Sequence, residues 1–149
     1  MNALVRAAGL HDLDLVVPLF DGYRQFYGRT SDEILARTFL RERMGRKESV
    51  IFLAEADGRA VGFTQLYPSF TSTGAARIWI LNDLFVDPQS RGRGIASLLL
   101  DAAVTFSKET GAIRLSLSTA VTNRAAQALY ERRGWKKDTE FLHYTLANQ

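Results

Sequence analysis

Two hydrophobic periods alternate along this chain. Leu13, Val16, Val17 and Phe20 recur at i, i+3, i+4 and i+7, which puts them on one face of a helix over 12–27. Pro18 lacks a backbone donor and predicts a bend there, and Gly28 ends the stretch. Thr30-Ser31-Asp32-Glu33 places a hydroxyl and a carboxylate three residues apart, as in a capping box. A second helix is expected to follow to about Met44, with Gly45 as its stop. A third stripe, Ile95, Leu98, Leu99, Ala102, Ala103 and Phe106, predicts a helix over 94–109 ended by Gly111. A fourth helix covers 123–133 and stops at Gly134. Strand-like runs lie at 3–7, 49–56, 59–67, 77–86 and 112–118, with one or two more in Trp135 and 140–146. Asp57-Gly58 is a hairpin turn signal, and 68–76 reads as a polar loop. The order β-α-α-β-β-β-α-β-α-β predicts an α/β chain of the α+β type, a mixed sheet with helices on its faces.

Composition narrows the chemistry. The chain has 149 residues, 46% hydrophobic and 23% charged, so one domain over 1–149 is expected. No apolar run is long enough to span a membrane. Asp12 and Asp14 stand where a signal peptide needs an apolar stretch, so a cytoplasmic protein without an address tag is expected. The absence of cysteine removes disulfides, thiolate metal ligands and an acyl-cysteine intermediate. His11 and His143 are two imidazoles far apart in sequence, and no metal site is expected. A net charge of +3 suits an anionic ligand and is too small to argue for nucleic acid.

The segment from Asp83 to Ala96 runs strand, turn, Gly-rich loop, helix start. Gly92 and Gly94 let the backbone approach a ligand. The first N–H groups of the helix beyond them have no internal partners and, with the helix dipole, form an anion site. Arg91 and Arg93 add positive charge, so the segment reads as a phosphate or pyrophosphate site, with a plain Gly-rich turn as the alternative. A Walker loop is excluded, because Gly94-Ile95-Ala96 stands where Gly-Lys-Ser/Thr is needed. A dinucleotide fingerprint fails at Ser97 and lacks an acidic residue after the next strand. The pattern Gln/Arg-x-x-Gly-x-Gly/Ala fits as Gln89-x-x-Gly92-x-Gly94.

That loop, together with Asn123, Ala126, Leu129-Tyr130-Glu131 and Gly134-Trp135, resembles the acetyl-CoA-binding core of the GNAT superfamily of acyl-CoA-dependent N-acyltransferases. The likeness is detailed over 77–135 and looser over the whole chain. It implies a central mixed, mostly antiparallel twisted sheet of six to seven strands with about four helices. It also implies acetyl-CoA as co-substrate, lying where two neighbouring strands splay. The exposed main chain of Leu84, Phe85 and Val86 would then meet the pantetheine arm, with the Val86 N–H polarising the thioester carbonyl. The N–H groups of Arg91, Gly92, Arg93, Gly94, Ile95 and Ala96 would hold the pyrophosphate. Asn123 matches the residue that contacts the pantetheine arm, and Tyr130 the tyrosine that protonates the departing thiolate.

An amine attacks a thioester directly, in a ternary complex, once it has lost its proton. Asp83 is the candidate base or amine contact, with a loop-capping role as the structural alternative. Leu81-Asn82-Asp83-Leu84-Phe85-Val86 resembles the branch holding polyamine and histone acetyltransferase-like enzymes, but Asn82 stands where the polyamine enzymes carry a carboxylate. Asp21, Tyr23, Phe26, Tyr27, Tyr67 and Phe70 are candidates for the acceptor region, with Phe26 read as core. The expected acceptor is a primary amine of a small molecule. A protein lysine or N-terminus is the close alternative, and a non-catalytic acyl-CoA sensor the distant one. The resemblance leaves a homodimer open and implies no membrane or nucleic-acid partner.

Overall fold

Asp57 and Gly58 both take left-handed backbone, at φ 53° and 75°, which matches the right-handed twist of the strands they join. The hairpin they close is the middle of the sheet in a computed structural model that describes residues 2–148. The elements are β1 (Ala3–Ala7), α1 (Leu13–Phe26), α2 (Glu33–Gly45), β2 (Val50–Ala56), β3 (Arg59–Thr71), β4 (Ala76–Val86), α3 (Ile95–Glu109), β5 (Leu115–Leu117) and α4 (Arg124–Arg132). The chain divides into two units, the first ending at Ser118 and the second beginning at Thr119.

In the first unit the strands lie in the order β1-β2-β3-β4-β5. The first three pairings are antiparallel and β4–β5 is parallel. Leu13, Val17 and Phe20 of α1 and Leu40 of α2 pack with Ile51, Leu53, Phe63 and Phe85 on one face. Ile95 and Leu99 of α3 pack with Ala54, Ala56, Val61 and Val86 on the other.

The fold is the expected mixed, mostly antiparallel sheet with four α-helices, but it has five strands among the described residues, not six or seven. Trp135 and 140–146 are not in strands. A strand pattern becomes a strand only where a neighbouring edge accepts its backbone bonds. Here the amides of Glu140 and Phe141 turn instead onto Asp138 Oδ1, at 2.9 and 3.1 Å. Residues 68–71, expected as loop, extend β3 instead, and the turn shrinks to 72–75. The cap of α2 is Asp32, whose Oδ1 accepts from Leu35 N at 3.0 Å, not Thr30. Helix α1 continues through Pro18, whose missing donor leaves only the carbonyl of exposed Asp14 without its helical bond.

β4 carries a β-bulge. Gln65 pairs with Asp83 and Leu66 with Leu81, so Asn82 is the extra residue. An extra residue inverts the facing of everything beyond it. Trp79 packs on Phe106 of α3, ring centroids 5.0 Å apart. Phe85, of the same parity, lies on the opposite face, 6.5 Å from Phe63, which meets Phe20 of α1 at 6.2 Å.

Candidate active site

The bulge turns Asp83 onto the α1 face and buries it to 1% exposure. Gln65 Nε2 donates to its Oδ2 at 2.6 Å and Asn82 Nδ2 to its Oδ1 at 2.8 Å. The Tyr23 hydroxyl donates to the Asn82 carbonyl at 3.1 Å and lies close enough to the carboxylate to favour its ionised form. Burial pushes the Asp83 carboxyl up to about 6, and the three donors offset only part of that cost. Burial, reinforced by the Asp83 charge, raises the phenols of Tyr23 and Tyr67 above the ordinary tyrosine range. Gln65 Oε1 is buried without a hydrogen-bond partner. The result is an enclosed carboxylate, basic for its type, walled by half-buried tyrosines.

Beyond Leu81, β4 keeps β3 on one side and loses β5 on the other. Its pairing with β5 covers Trp79, Ile80 and Leu81 and then stops. Asp87 N donates to Val61 O of β3 at 2.8 Å. Strand alternation therefore turns the main-chain groups of Val86 and Leu84 toward the side that β5 has left. Arg91 Nε reaches back to the Val86 carbonyl at 2.9 Å, and its guanidinium lies 5.5 Å from the Phe85 ring and 5.7 Å from that of Phe26.

The loop after β4 is exposed from Arg91 to Gly94. Gly92 and Gly94 take φ of 77° and 78°, and a Cβ on either would meet nothing within 4 Å. The loop face is therefore open to a ligand while its conformation still favours glycine. Gly94 is the N-cap of α3, and the first bond back to it comes from Leu98 N at 3.2 Å. The amides of Ile95, Ala96 and Ser97 thus have no acceptor within the helix, and their dipoles point at the open loop. The loop pattern also fits two residues on, as Arg91-x-x-Gly94-x-Ala96. The structure favours this register, because Gly94 caps the helix while Gln89 sits in the short 3₁₀ turn Pro88–Ser90. A diphosphate fits these donors, and a pantetheine arm fits a strand edge with unpaired main chain.

In the second unit, Asn123 caps α4 through its side-chain oxygen, which accepts from Ala126 N at 3.1 Å. Tyr130 is half-buried, with its ring 6.0 Å from that of Trp135. Gly134, at φ 89°, ends the helix, and Trp135 N returns to Tyr130 O at 3.0 Å.

The structure sorts the acceptor candidates. Tyr23 and Tyr67 face Asp83. Tyr27 packs edge-on against Tyr23 at 5.1 Å. Phe26 is 55% exposed, so it is not core. Phe70 is exposed toward the turn end of the β3–β4 hairpin, under the Arg77 guanidinium, and is not part of this cluster. Asp21 is also elsewhere. It accepts from Gln25 Nε2 at 3.0 Å, Ser31 Oγ at 2.6 Å and Asp32 N at 2.8 Å, and so staples the α1–α2 connection. Gln65 and Asn82 were missed as partners of Asp83. Asn82 is legible only as a departure from a pattern, and a glutamine inside an apolar strand was the available signal for Gln65.

YhfO of Bacillus subtilis (strain 168), an uncharacterized N-acetyltransferase, is 46% identical over 142 residues, 95% of each chain. A crystal structure of a probable acetyltransferase matches with a TM-score of 0.93 at 47% identity, covering 98% of both chains. The aminoglycoside N-acetyltransferase AAC(6')-Iy, solved in complex with CoA, matches with a TM-score of 0.82 at 19% identity, covering 97% of this chain and 95% of that one, and shows the shared fold. Residues 16–135 match the acetyltransferase (GNAT) family. The chain belongs to that family and is an acetyl-CoA-dependent N-acetyltransferase.

Proposed function

We propose that this protein acetylates a primary amine of a small molecule by direct attack in a ternary complex. The observation that carries the reading is the buried carboxylate of Asp83 behind Tyr23 and Tyr67, next to a strand edge that β5 leaves unpaired. An enclosed, tyrosine-walled cluster suits a small amine better than a protein chain. A bound acetyl-CoA supplies the electrophilic thioester.

The amides of the α3 first turn and the Arg91–Gly94 loop hold its diphosphate. Leu84, Phe85 and Val86 line the pantetheine arm, and the Val86 N–H donates to the thioester oxygen as negative charge develops there. Asp83 takes the proton of the incoming ammonium. Because the carboxylate is enclosed, the proton reaches it by way of the Tyr23 hydroxyl, which turns its one O–H from the bulge carbonyl to Asp83, gives up that proton and takes one from the ammonium in its place. A carboxyl near 6 is ionised at neutral pH, yet is a stronger base than a solvated aspartate. Asn123 and Tyr130 are assigned the pantetheine contact and the proton donor to the leaving thiolate on the likeness of α4 to the family.

Initial velocities with acetyl-CoA against a panel of small amines, amino acids and peptides test the reading. Intersecting double-reciprocal lines with a small amine are expected. Turnover confined to peptides, or CoA binding with no transfer to any amine, overturns it.

A further inference from the structure

Val61, Phe63 and Leu66 of β3 are buried apolar residues, and Gln65 among them is 0% exposed. A side-chain amide in such a place costs free energy unless both of its ends find partners. Here one end does. Nε2 donates to Asp83 Oδ2 at 2.6 Å, while Oε1 is buried without a partner. The two residues stand directly opposite each other in the β3–β4 ladder. One position earlier, Thr64 Oγ1 donates to the Asp83 carbonyl at 2.8 Å. The main chain of Asp83 is thereby pinned while its side chain can change partners.

A carboxylate that gains a proton turns from acceptor to donor at one oxygen. Asp83 Oδ1 accepts from Asn82 Nδ2, and Oδ2 faces Gln65. With a proton on Oδ2, an amide still presenting its N–H would set donor against donor and leave the new O–H buried without an acceptor. Half a turn of the Gln65 amide removes the conflict, because Oε1 and Nε2 are close in size and exchange places without repacking. The titratable groups facing Asp83 are the phenols of Tyr23 on α1 and Tyr67 on β3, with Tyr27 beside Tyr23. Arg43 of α2 acts on Tyr67 and is itself tied to Glu48 at 2.8 Å and Glu42 at 3.2 Å.

We propose that Gln65 is the positioning residue for proton transfer in the acetylation: its amide donates to Asp83 while the carboxylate is ionised and turns over to accept the O–H once the proton has arrived. This rests on the reading of Asp83 as the base. One proton leaves the ammonium for the Tyr23 oxygen as the Tyr23 proton passes to Oδ2. The phenol stays neutral, and the charges of the ammonium and of Asp83 are both discharged. The idle Oε1 is then an acceptor held ready for the protonated state. Burial, which holds the carboxyl at about 6, keeps both states within reach near neutral pH. A leucine at position 65 would fill the core and give neither state a partner.

Carbon NMR of protein labelled at the aspartate carboxyls follows the titration of Asp83, whose line is identified by its loss in Asp83→Asn. Proton–nitrogen spectra follow the Gln65 NH₂, assigned through its own backbone. Above the Asp83 midpoint one Nε2 proton is expected far downfield of the other. Below it that separation should collapse, with the same midpoint for both residues. Gln65→Met keeps the length of the side chain and removes both polar ends. It should raise the Asp83 midpoint, and with it the rising limb of kcat/KM, by about one pH unit, as expected when a hydrogen bond to an ionised group is lost. A Gln65 signal that ignores the Asp83 titration overturns the proposal, and the wild-type spectra decide this even where the substitution unfolds the chain. An Asp83 midpoint unmoved in folded Gln65→Met also overturns it. Coincident titrations that shift together while the rate limb stays in place would instead overturn the reading of Asp83 as the base, and the role of Gln65 with it.

Discussion

Asp83→Asn should make this protein more stable at neutral pH, although it removes a residue assigned to the chemistry. Burial holds the Asp83 carboxyl at about 6, against 3.8 for the free group. The folded state therefore binds a proton more tightly than the unfolded state between about pH 4 and pH 6. Stability contributed by this residue is full below that window and is lost as pH rises through it. Two pKa units at about 1.4 kcal/mol each put the full penalty near 3 kcal/mol above pH 6. An amide at this position carries no charge to desolvate, but its NH₂ needs an acceptor. Gln65 supplies one: its Oε1 is buried without a partner, and turning that amide over exchanges the donor now aimed at Asp83 for an acceptor. The variant should match the wild type near pH 4 and exceed it by up to ~3 kcal/mol at pH 7.5, a rise in Tm of roughly 6–12 °C for a chain of this size. Urea titrations of tryptophan fluorescence at pH 4, 5.5 and 7.5 read this directly. Asp12, held at about 2 first by its hydrogen bond from Arg6, titrates in both proteins and cancels in the difference. A stability gap that is the same at all three pH values, or a variant less stable at pH 7.5, would refute the reasoning. In turnover the same substitution should move the rising limb of the rate profile to higher pH.

Three other substitutions probe separate parts. Gly94→Val forces a β-branched residue to φ 78° at the cap of α3 and should weaken CoA binding at least tenfold by calorimetry; unchanged affinity would place the diphosphate elsewhere. Tyr130→Phe deletes only a hydroxyl, so it should lower kcat by 10- to 100-fold with little change in CoA affinity; full activity would remove the proton-donor assignment. Asp21→Ala leaves the Gln25, Ser31 and Asp32 donors without their acceptor and should cost about 2–4 kcal/mol in urea denaturation. A loss below 1 kcal/mol would show that the α1–α2 connection does not need its staple.

The helices and the central hairpin were legible because their signals are local. Asp57-Gly58 dictates its own left-handed backbone, and the stripe through Leu13, Val17 and Phe20 needs only helical geometry to reach the core. The donor side of the site was legible for the same reason: Gly94 followed by an apolar helix produces unpaired amides whatever the tertiary context. The acceptor side was not. Asp21 and Phe70 suit an amine pocket by residue type as well as Tyr23 and Tyr67 do, and only packing separates a loop staple and a hairpin rim from the carboxylate's neighbours. Segment 140–146 marks the other limit, since alternation specifies a strand but not the edge it joins.

The bulge at Asn82 explains why the site resists a reading by pattern alone. Read as an unbroken strand, β4 puts Trp79, Leu81, Asp83 and Phe85 on one face, which would lay the carboxylate against α3 beside Trp79. The extra residue rotates Asp83 and Phe85 to the α1 face, where Gln65 and Tyr23 wait. It also comes one residue after the last position paired with β5, at Leu81. One insertion thus coincides with both features the proposed mechanism uses. The proposed base turns toward the tyrosines, and the main-chain groups of Leu84 and Val86 face the side that β5 has left. Asn82 itself secures the turn, its carbonyl accepting from Tyr23 and its amide donating to Asp83. A carboxylate at this position, as in the polyamine enzymes, would set a second negative charge against Asp83. The amide instead donates to Asp83 and leaves it the one carboxylate of the cluster, and that is the physical content of the departure at Asn82.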